Sequence, residues 1–337
     1  MKKDKDSDIY KEEEYAFDAC YGDLTGQEEI FEDTRMLMQS AIDGFNVCCF
    51  AYGQTGSGKT YTIQGPENNP GIVPRALEEL FTLRNRLEKT NQFTIHLEVY
   101  MVELYMDKLL DLMATEAQPK LEIREDPSTG MISILNVNKH QVTTLEEAFE
   151  IYKTGIVQRK TATTSMNEDS SRSHLIFAVI VRTQNNQTGQ RSYSKISFCD
   201  LAGSEKVNKA NPTIAQLNEG KAINQSLSAL REIIRTLSTN GQNQGEFIPY
   251  RRNKLTQLMK DSVGGNSKTL MFVNISPADY NAQESRMSLF FGVNAKQIKN
   301  QISKNVESQE VAKLKEELAR LRKKFSDVTT LATGGGI

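Results

Sequence analysis

Residues 46–60 read NVCCFAYGQTGSGKT, the most informative stretch of the sequence for the fold. Residues 46–52 are a short continuous apolar run, which is typical of a strand buried on both faces. The next eight residues fit the pattern G-x-x-x-x-G-K-[ST], in which glycines let backbone N–H groups curl around a phosphate. The segment TYTIQG, from residue 60, predicts a helix that adds partial positive charge at its N-terminus. Strand, loop and helix together predict a phosphate-binding loop rather than an ordinary glycine-rich turn.

Two side chains of this loop are suited to specific tasks. Lys59 is expected to pair with the β- and γ-phosphates of a nucleotide, and Thr60 to offer its hydroxyl to Mg²⁺. The predicted nucleotide-binding residues of the loop are Gly53, Gln54, Thr55, Gly56, Ser57, Gly58, Lys59 and Thr60.

Outside the loop, predicted strands alternate with predicted helices, which indicates an α/β fold with a mixed sheet. Residues 93–112 begin with strand-like alternation and are expected to become helical near Met106. No Pro-, Gly- or Ser-rich linker divides residues 16–300, so we predict one domain there. The other predicted helices cover residues 27–43, 74–89 and 216–238, and the other predicted strands cover residues 174–183, 191–199 and 269–275.

Composition excludes several classes of protein. The 337 residues carry 41 basic and 43 acidic side chains, a balance that argues against a nucleic-acid binder. No apolar run approaches the roughly 18–20 residues of a membrane helix, and the polar start is not a secretory signal. The spacing of the four cysteines suits neither zinc nor a disulfide scaffold, so we expect them to be buried as small apolar groups in a reducing cytosol.

Two further segments can complete a site around a γ-phosphate. Residues 167–174, NEDSSRSH, place hydroxyls, an arginine and a histidine just before an apolar strand. Residues 200–205, DLAGSE, follow another strand directly. An aspartate at the end of a strand can hold Mg²⁺ through water, and a glycine N–H can reach the γ-phosphate. Each segment alone is an ordinary loop, but with the phosphate loop the three form a γ-phosphate sensor.

The motifs GQTGSGKT, NEDSSRSH and DLAGSE, in this order, resemble the kinesin motor domain. Further matches lie at residues 224–230, 247–256 and 261–277, so that the resemblance covers about residues 16–300. It implies a P-loop NTPase with a mixed central sheet, helices on both faces, and ATP and Mg²⁺ as cofactors. It also implies microtubule-stimulated ATP hydrolysis coupled to movement. Within the family the chain looks most like the calmodulin-binding kinesins of plants and green algae, of the minus-end-directed class with a C-terminal motor.

The resemblance also implies roles for individual residues. Ser171 would contact Mg²⁺ and the attacking water, and Arg172 would form a salt bridge to Glu205 that closes the site. Asp200 would reach Mg²⁺ through water, and Gly203 would sense the γ-phosphate. The remaining residues that the resemblance assigns to the site are Asn167 and Ser170 near the nucleotide and Asn224 as a stabiliser of the closed state. We expect Arg172 and Glu205 to be needed for hydrolysis rather than for ATP binding.

A basic segment offers a surface for tubulin. Residues 250–254, YRRNK, place three bases within four residues, which suits an acidic partner. A solvated basic turn is the alternative, and the family resemblance favours the microtubule contact. The predicted microtubule-binding residues are Tyr250, Arg251, Arg252 and Lys254.

The sequence departs from the family pattern in one important respect. Kinesin cores begin with a central strand ending in an R-x-R-P-like motif that packs on the adenine, and no such motif occurs here. We therefore expect the first central strand to be missing from the sheet, which is costly for a buried strand. This leaves two functions open: an active motor, or a microtubule-binding module with impaired ATPase activity. A GTPase is disfavoured, because no N-K-x-D motif is present.

The ends of the chain differ in charge and pattern. Residues 1–15 are predicted to be an acidic flexible lead, residues 301–327 an amphipathic helix, and residues 328–337 a flexible tail. Apolar residues between positions 311 and 325 repeat at heptad spacing, which allows a weak dimer contact or a helix docked on the motor. Residues 304–325 are basic and amphipathic, as a segment that binds calmodulin or another calcium-binding regulator should be. We expect a cytoplasmic protein located on microtubules.

Overall fold

The computed structural model describes residues 12–114, 120–164, 170–205, 213–239 and 247–307, together with Glu317, Arg320 and Leu321. The strands are β1 Val47–Tyr52, β2 Phe93–Tyr105, β3 Lys108–Asp111, β4 Glu122–Glu125, β5 Ile132–Leu135, β6 His140–Val142, β7 His174–Asn185, β8 Arg191–Asp200, β9 Lys268–Val273 and β10 Val306–Glu307. The helices are α1 Gln27–Ile42, α2 Lys59–Ile63, α3 Ile72–Glu88, α4 Leu145–Thr164, α5 Ile214–Thr239, α6 Lys254–Leu258 and α7 Ala282–Lys296.

The central sheet is mixed, as the sequence predicts. Its main path runs β3-β2-β7-β8-β1-β9, while β6 pairs with β2, β10 pairs with β8, and β4 and β5 form a separate hairpin. Strand β1 is parallel to both β8 and β9. Strand β7 is antiparallel to both of its neighbours, β2 and β8. The carboxyl ends of β1 and β8 and the start of β7 therefore meet at one edge of the sheet.

Strand β1 explains why two hydrophobic cores flank the sheet. Side chains alternate between the two faces of a strand, and every residue of β1 is buried. Val47, Cys49 and Ala51 belong to the core beneath α1, α3 and α4. Cys48, Phe50 and Tyr52 belong to the opposite core, which α5, α6, α7 and the β4–β5 hairpin cover. The structure thus confirms the predicted layers of helices on both faces.

Most elements predicted from the sequence lie within a few residues of their expected bounds. The prediction of a helix near Met106 is wrong, because Met106 and Asp107 form the tight turn between β2 and β3. Both turn residues have positive φ, 46° and 58°, as a two-residue hairpin turn requires. The two residues of this turn include no glycine, which is the residue that marks such turns in a sequence. Cys20 is exposed, whereas the other three cysteines are buried as expected.

The outer edge of the sheet lies at β9. In the described ranges β9 ends the strand path, so the strand expected to be missing does not interrupt the sheet. A groove of about 300 Å³ lies beside this edge, between β9 and α7. Phe17 lies in it, so close to α7 that a Cβ added at Gly292 would lie 2.8 Å from the phenyl ring.

The acidic lead is partly ordered against the domain. Glu13 pairs with Arg286 on α7 at 2.6 Å, and Asp18 pairs with Lys296 at 3.0 Å. Residues 12–14 are exposed, as a solvated lead predicts, and these two ion pairs link the lead and Asp18 to basic residues of α7.

The segment after residue 300 also continues the fold further than predicted. Val306 and Glu307 pair with β8, and the Asn305 amide N–H donates to Gly44 O at 2.9 Å. Strand pairing thus continues to residue 307, where the sequence predicted a helix. Most of the predicted heptad segment lies outside the described residues, and the exposed Leu321 is helical. Among the described helices none is long and apolar enough to span a membrane.

Candidate functional site

The phosphate loop connects the carboxyl end of β1 to the start of α2. Gly58 precedes α2 with φ of 100°, a left-handed conformation that glycine adopts without strain. At Gly53 the chain passes so close to Asn274 that a Cβ would lie 2.1 Å from its carbonyl oxygen. Asn274 Nδ2 also donates to Thr62 Oγ1 at 2.9 Å. The glycines are thus required by the backbone geometry, and Asn274, which the sequence did not single out, supports the loop from β9.

Lys59 and Thr60 lie at the base of this loop. The Lys59 ammonium is buried and donates to Gln54 O at 2.8 Å. Thr60 Oγ1 donates to Asp200 Oδ2 at 2.8 Å. The register of the parallel pair explains this contact, because Ala51 of β1 lies opposite Asp200 of β8. The structure therefore brings together the lysine, threonine and aspartate that the sequence predicted for phosphate and Mg²⁺.

A buried charge cluster lies behind Asp200. Arg159 on α4 donates from Nη1 to Asp200 Oδ2 at 3.3 Å and from Nη2 to Ser173 O at 3.2 Å. Glu103 on β2 lies 3.5 Å from Arg159 Nε and accepts a hydrogen bond from Ser173 Oγ at 2.5 Å. All four side chains are buried. This buried cluster, which we define as Glu103, Arg159, Ser173 and Asp200, holds the aspartate that reaches toward Thr60.

The two segments predicted to surround a γ-phosphate, residues 167–174 (the first switch segment) and 200–205 (the second switch segment), contact each other and the phosphate loop. The Gly203 N–H donates to Ser171 O at 2.8 Å, and the Ser204 N–H donates to Gly53 O at 3.0 Å. Glu205 accepts the Thr55 N–H at 2.7 Å and is also hydrogen-bonded by the Thr55 hydroxyl. The three segments predicted to sense a γ-phosphate are therefore adjacent.

The predicted salt bridge between Arg172 and Glu205 is wrong for this structure. Arg172 Nη1 donates instead to Glu219 Oε2 on α5 at 2.8 Å. Both carboxyl oxygens of Glu205 accept hydrogen bonds from Thr55. Sequence motifs identify Arg172 and Glu205, but they do not determine which carboxylate the arginine contacts in a given conformation.

His174 joins the second switch segment to α5. Its Nδ1 accepts the Ala202 N–H at 3.1 Å, so Nε2 carries the proton and donates to Ser226 Oγ at 2.9 Å. Burial, with the nearby charges of Arg159 and Lys59, lowers the pKa of His174 to about 3. The ring is therefore neutral at physiological pH and holds one tautomer.

The basic segment lies on the face covered by α5 and α6. Arg252 contacts both carboxyl oxygens of Glu232 on α5, at 2.9 and 2.7 Å. Lys254 Nζ donates to Asp107 O, at the tip of the β2–β3 turn, at 2.5 Å. Arg251 and Arg252 are exposed and Lys254 is half-buried. These three cations form the surface that we call the basic surface.

Tyr250 differs from its basic neighbours. Its hydroxyl donates to Val263 O at 2.6 Å, and burial raises the pKa of Tyr250 to about 12. The hydroxyl therefore points into the protein, and the structure does not support Tyr250 as a polar contact on the basic surface.

Three other predicted residues have different outcomes. Asn167 lies outside the described residues, and Ser170 lies in a short 3₁₀ turn next to Ser171. Asn224 lies on α5, two residues before the serine that His174 contacts. Sequence reasoning missed Arg159, Glu103 and Glu219, because buried charges within helices and strands carry no local motif. One signal was present, since Glu103 interrupts an otherwise apolar stretch of β2.

The donor set fits a nucleoside triphosphate with Mg²⁺. Asp200 Oδ1 is buried and accepts no hydrogen bond from the described residues, so an anionic atom is directed at the site. Thr60 adds a hydroxyl beside it, and both are oxygen donors, which Mg²⁺ prefers. The arrangement defines a P-loop nucleotide-binding protein with two switch segments.

The comparison with known sequences then gives the family. The sequence profile of the kinesin motor domain matches residues 1–298, and the chain belongs to this family. It is 48% identical over 311 residues to kinesin-like protein KIN-14I of Oryza sativa subsp. japonica, which covers 92% of this chain. It is also 48% identical over 311 residues to KIN-14E of Arabidopsis thaliana. In both cases the matched region is 24% of the relative, so the chain spans about a quarter of these relatives' length.

Solved structures agree on the fold. One similar structure is a KIF14 dimer in a two-heads-bound state with AMP-PNP, in complex with a microtubule. It has a TM-score of 0.78 and 36% identity, and the match covers 90% of this chain and 85% of that chain. A structure described as a fast kinesin has a TM-score of 0.77 and 34% identity, covering 88% of this chain and 83% of that chain. Both confirm the predicted kinesin-type fold.

Proposed function

We propose that this chain is a motor domain that hydrolyses ATP, that microtubules stimulate the hydrolysis, and that it drives movement along them. The observation that carries the proposal is the meeting of the phosphate loop with Ser171 and Gly203, whose backbones are hydrogen-bonded at 2.8 Å. The similar KIF14 structure with AMP-PNP and a microtubule supports both ligands.

The residues divide the work as phosphoryl transfer requires. Lys59 and the N–H groups of the phosphate loop would bind the phosphates, while Thr60 and Asp200 would hold Mg²⁺. Mg²⁺, when bound, neutralises the phosphate charge. The Gly203 N–H, which contacts the Ser171 carbonyl in this structure, would turn with Ser171 to the γ-phosphate, and Arg172 with Glu205 would close the site around the attacking water. Positioning and charge neutralisation, rather than a strong base, lower the barrier.

Steady-state ATP hydrolysis by this chain, with and without stabilised microtubules, tests the proposal. We expect turnover to rise and saturate with microtubule concentration, and Lys59→Ala to abolish it. Retained co-sedimentation without turnover would contradict the proposal and favour a microtubule-binding module with impaired ATPase activity.

The basic surface is the proposed microtubule contact. Arg251, Arg252 and Lys254 lie together beside α5, and tubulin presents an acidic surface to such cations. With this partner, the proposed location is cytoplasmic microtubules.

We also propose a regulatory segment after the motor fold. Residues 304–325 carry more bases than acids between apolar heptad positions, which suits calmodulin or a similar calcium-binding protein. The same pattern allows weak dimerisation. Microtubule co-sedimentation with calmodulin, with and without calcium, tests the regulator: a calcium-dependent shift is expected, and its absence contradicts it. Sedimentation velocity at increasing protein concentration tests the dimer.

A further inference from the structure

Arg172 contacts a different carboxylate from the one that the family resemblance assigns to it. Its contact is Glu219 on α5, at 2.8 Å. Glu205, the partner that would close the site, is held by Thr55 of the phosphate loop. The Arg172 guanidinium must leave Glu219 before it can form a salt bridge with Glu205. The contact with Glu219 therefore opposes closure of the nucleotide site.

Glu219 has a second contact that leads away from the nucleotide site. The Tyr105 hydroxyl donates to Glu219 Oε1 at 3.0 Å, while Arg172 contacts Oε2. Glu219 is 7% exposed and Arg172 is 16% exposed, so water screens this pair weakly. Desolvation and the hydrogen bond to Glu219 raise the pKa of Tyr105, which keeps its hydroxyl protonated as a donor.

Tyr105 is the last residue of β2, directly before the hairpin turn. Asp107 at the tip accepts a hydrogen bond from Lys254 Nζ on its carbonyl, at 2.5 Å. The Asp107 carboxylate also lies 3.4 Å from the Lys254 N–H. Both turn residues have positive φ without being glycine, a conformation that the surrounding contacts must hold in place. A continuous set of contacts therefore joins the basic surface to Arg172.

We propose that Glu219 is a positioning residue that holds Arg172 away from Glu205, and that Tyr105 couples this contact through the β2–β3 turn to Lys254. The inference rests on the proposed function, because it assigns the basic surface to the microtubule. A partner that draws Lys254 away from Asp107 loosens the Tyr105 contact and frees Arg172 to pair with Glu205. The contact set, which we call the Glu219 latch, consists of Arg172, Glu219, Tyr105, Asp107 and Lys254.

Glu219→Gln is the decisive variant, because it removes the charge and keeps the size of the side chain. A ligand or contact shifts an equilibrium by its differential affinity for the two states, so loss of this contact favours the closed site. We expect turnover without microtubules to rise about three- to tenfold, in keeping with the loss of one charge-assisted hydrogen bond. The ratio of stimulated to basal turnover falls accordingly. Tyr105→Phe, which removes only the hydroxyl, gives a smaller change in the same direction.

Glu79→Gln is the matched control, since it removes a partly buried carboxylate paired with Arg35 on the opposite face of the sheet. It is expected to leave the basal turnover and the stimulation ratio unchanged. A purely structural role for Glu219 would lower basal and stimulated turnover together, and that result would overturn the inference. Basal turnover equal to the wild type would overturn it as well.

A binding measurement separates this inference from the proposed function. The affinity for AMP-PNP relative to ADP is measured by fluorescence competition and needs no turnover. We expect this ratio to rise in Glu219→Gln if Arg172 is released toward Glu205. A higher ratio in a chain that microtubules fail to stimulate would support the latch and refute the motor. An unchanged ratio in a stimulated chain would refute the latch alone.

Discussion

Two arginines contact carboxylates near the nucleotide site. They differ in burial and in whether another carboxylate is available to pair with them. Arg159 is 3% exposed and lies between Asp200 and Glu103, each 2% exposed. Arg172 is 16% exposed and contacts Glu219. Glu205, which Thr55 holds in this structure, is the second carboxylate with which we propose that Arg172 pairs. The buried cluster is a fixed part of the fold, and the Glu219 latch is exchangeable. One sheet edge thus combines a rigid support for phosphate binding with a movable closing group.

The largest effect that this comparison predicts concerns stability. Arg159→Met leaves Asp200 and Glu103 as uncompensated buried charges and is expected to lower the free energy of unfolding by about 3–5 kcal/mol. Arg172→Met leaves Glu219 with its hydrogen bond from Tyr105 and is expected to lower it less, by about 1–2 kcal/mol. Urea unfolding of both variants measures the difference. Equal losses of unfolding free energy would contradict the distinction between a fixed Arg159 cluster and an exchangeable Arg172 contact.

The pair formed by Arg172 and Glu205 is expected to matter more for hydrolysis than for stability. Arg172→Ala and Glu205→Ala each remove one half of the closing pair, so we expect hydrolysis to fall about 100- to 1,000-fold while ATP still binds. Steady-state turnover and fluorescent-nucleotide binding, measured on the same samples, check both parts. Turnover at the wild-type level in either variant would refute the role assigned to this pair.

The basic surface is expected to show a smaller, salt-dependent effect. Arg252→Ala combined with Lys254→Ala removes two cations facing an acidic partner and should weaken microtubule affinity about tenfold at low ionic strength. The difference should shrink as salt screens the charges. Co-sedimentation over a salt series measures it, with Lys153→Ala on α4 as the control. Unchanged affinity at low salt would exclude this surface as the contact.

The last effect concerns pH and is absent at neutral pH, because it appears only in acidic solution. His174 has a pKa of about 3 in the fold against its usual 6.5, so the unfolded chain binds the proton more readily. Its contribution to stability is present above pH 6.5 and is lost as the pH falls from 6.5 toward 3, by at most about 1.4 kcal/mol per pH unit. His174→Asn should flatten the pH dependence of the unfolding free energy, whereas the exposed His96→Asn should not. Equal slopes for the wild type and His174→Asn would contradict the assignment.

The sequence predicted the features that local patterns encode. The apolar run before GQTGSGKT predicted β1, and the switch motifs predicted which side chains gather at its end. Local sequence patterns could not predict contacts between distant segments. Nothing local tells that Arg159 on α4 lies beside Asp200, or that Arg172 contacts Glu219 rather than Glu205. The turn at Met106 was missed for a related reason, since Lys254 holds its unusual backbone from 147 residues away.

The central claim is that Arg159 keeps its partner while Arg172 exchanges its own. A cryo-electron microscopy structure of this chain with AMP-PNP and Mg²⁺ on microtubules tests it most directly. We predict that Arg172 contacts Glu205 and has left Glu219, while Arg159 still contacts Asp200. A structure in which Arg172 remains on Glu219 with the nucleotide bound would contradict the account.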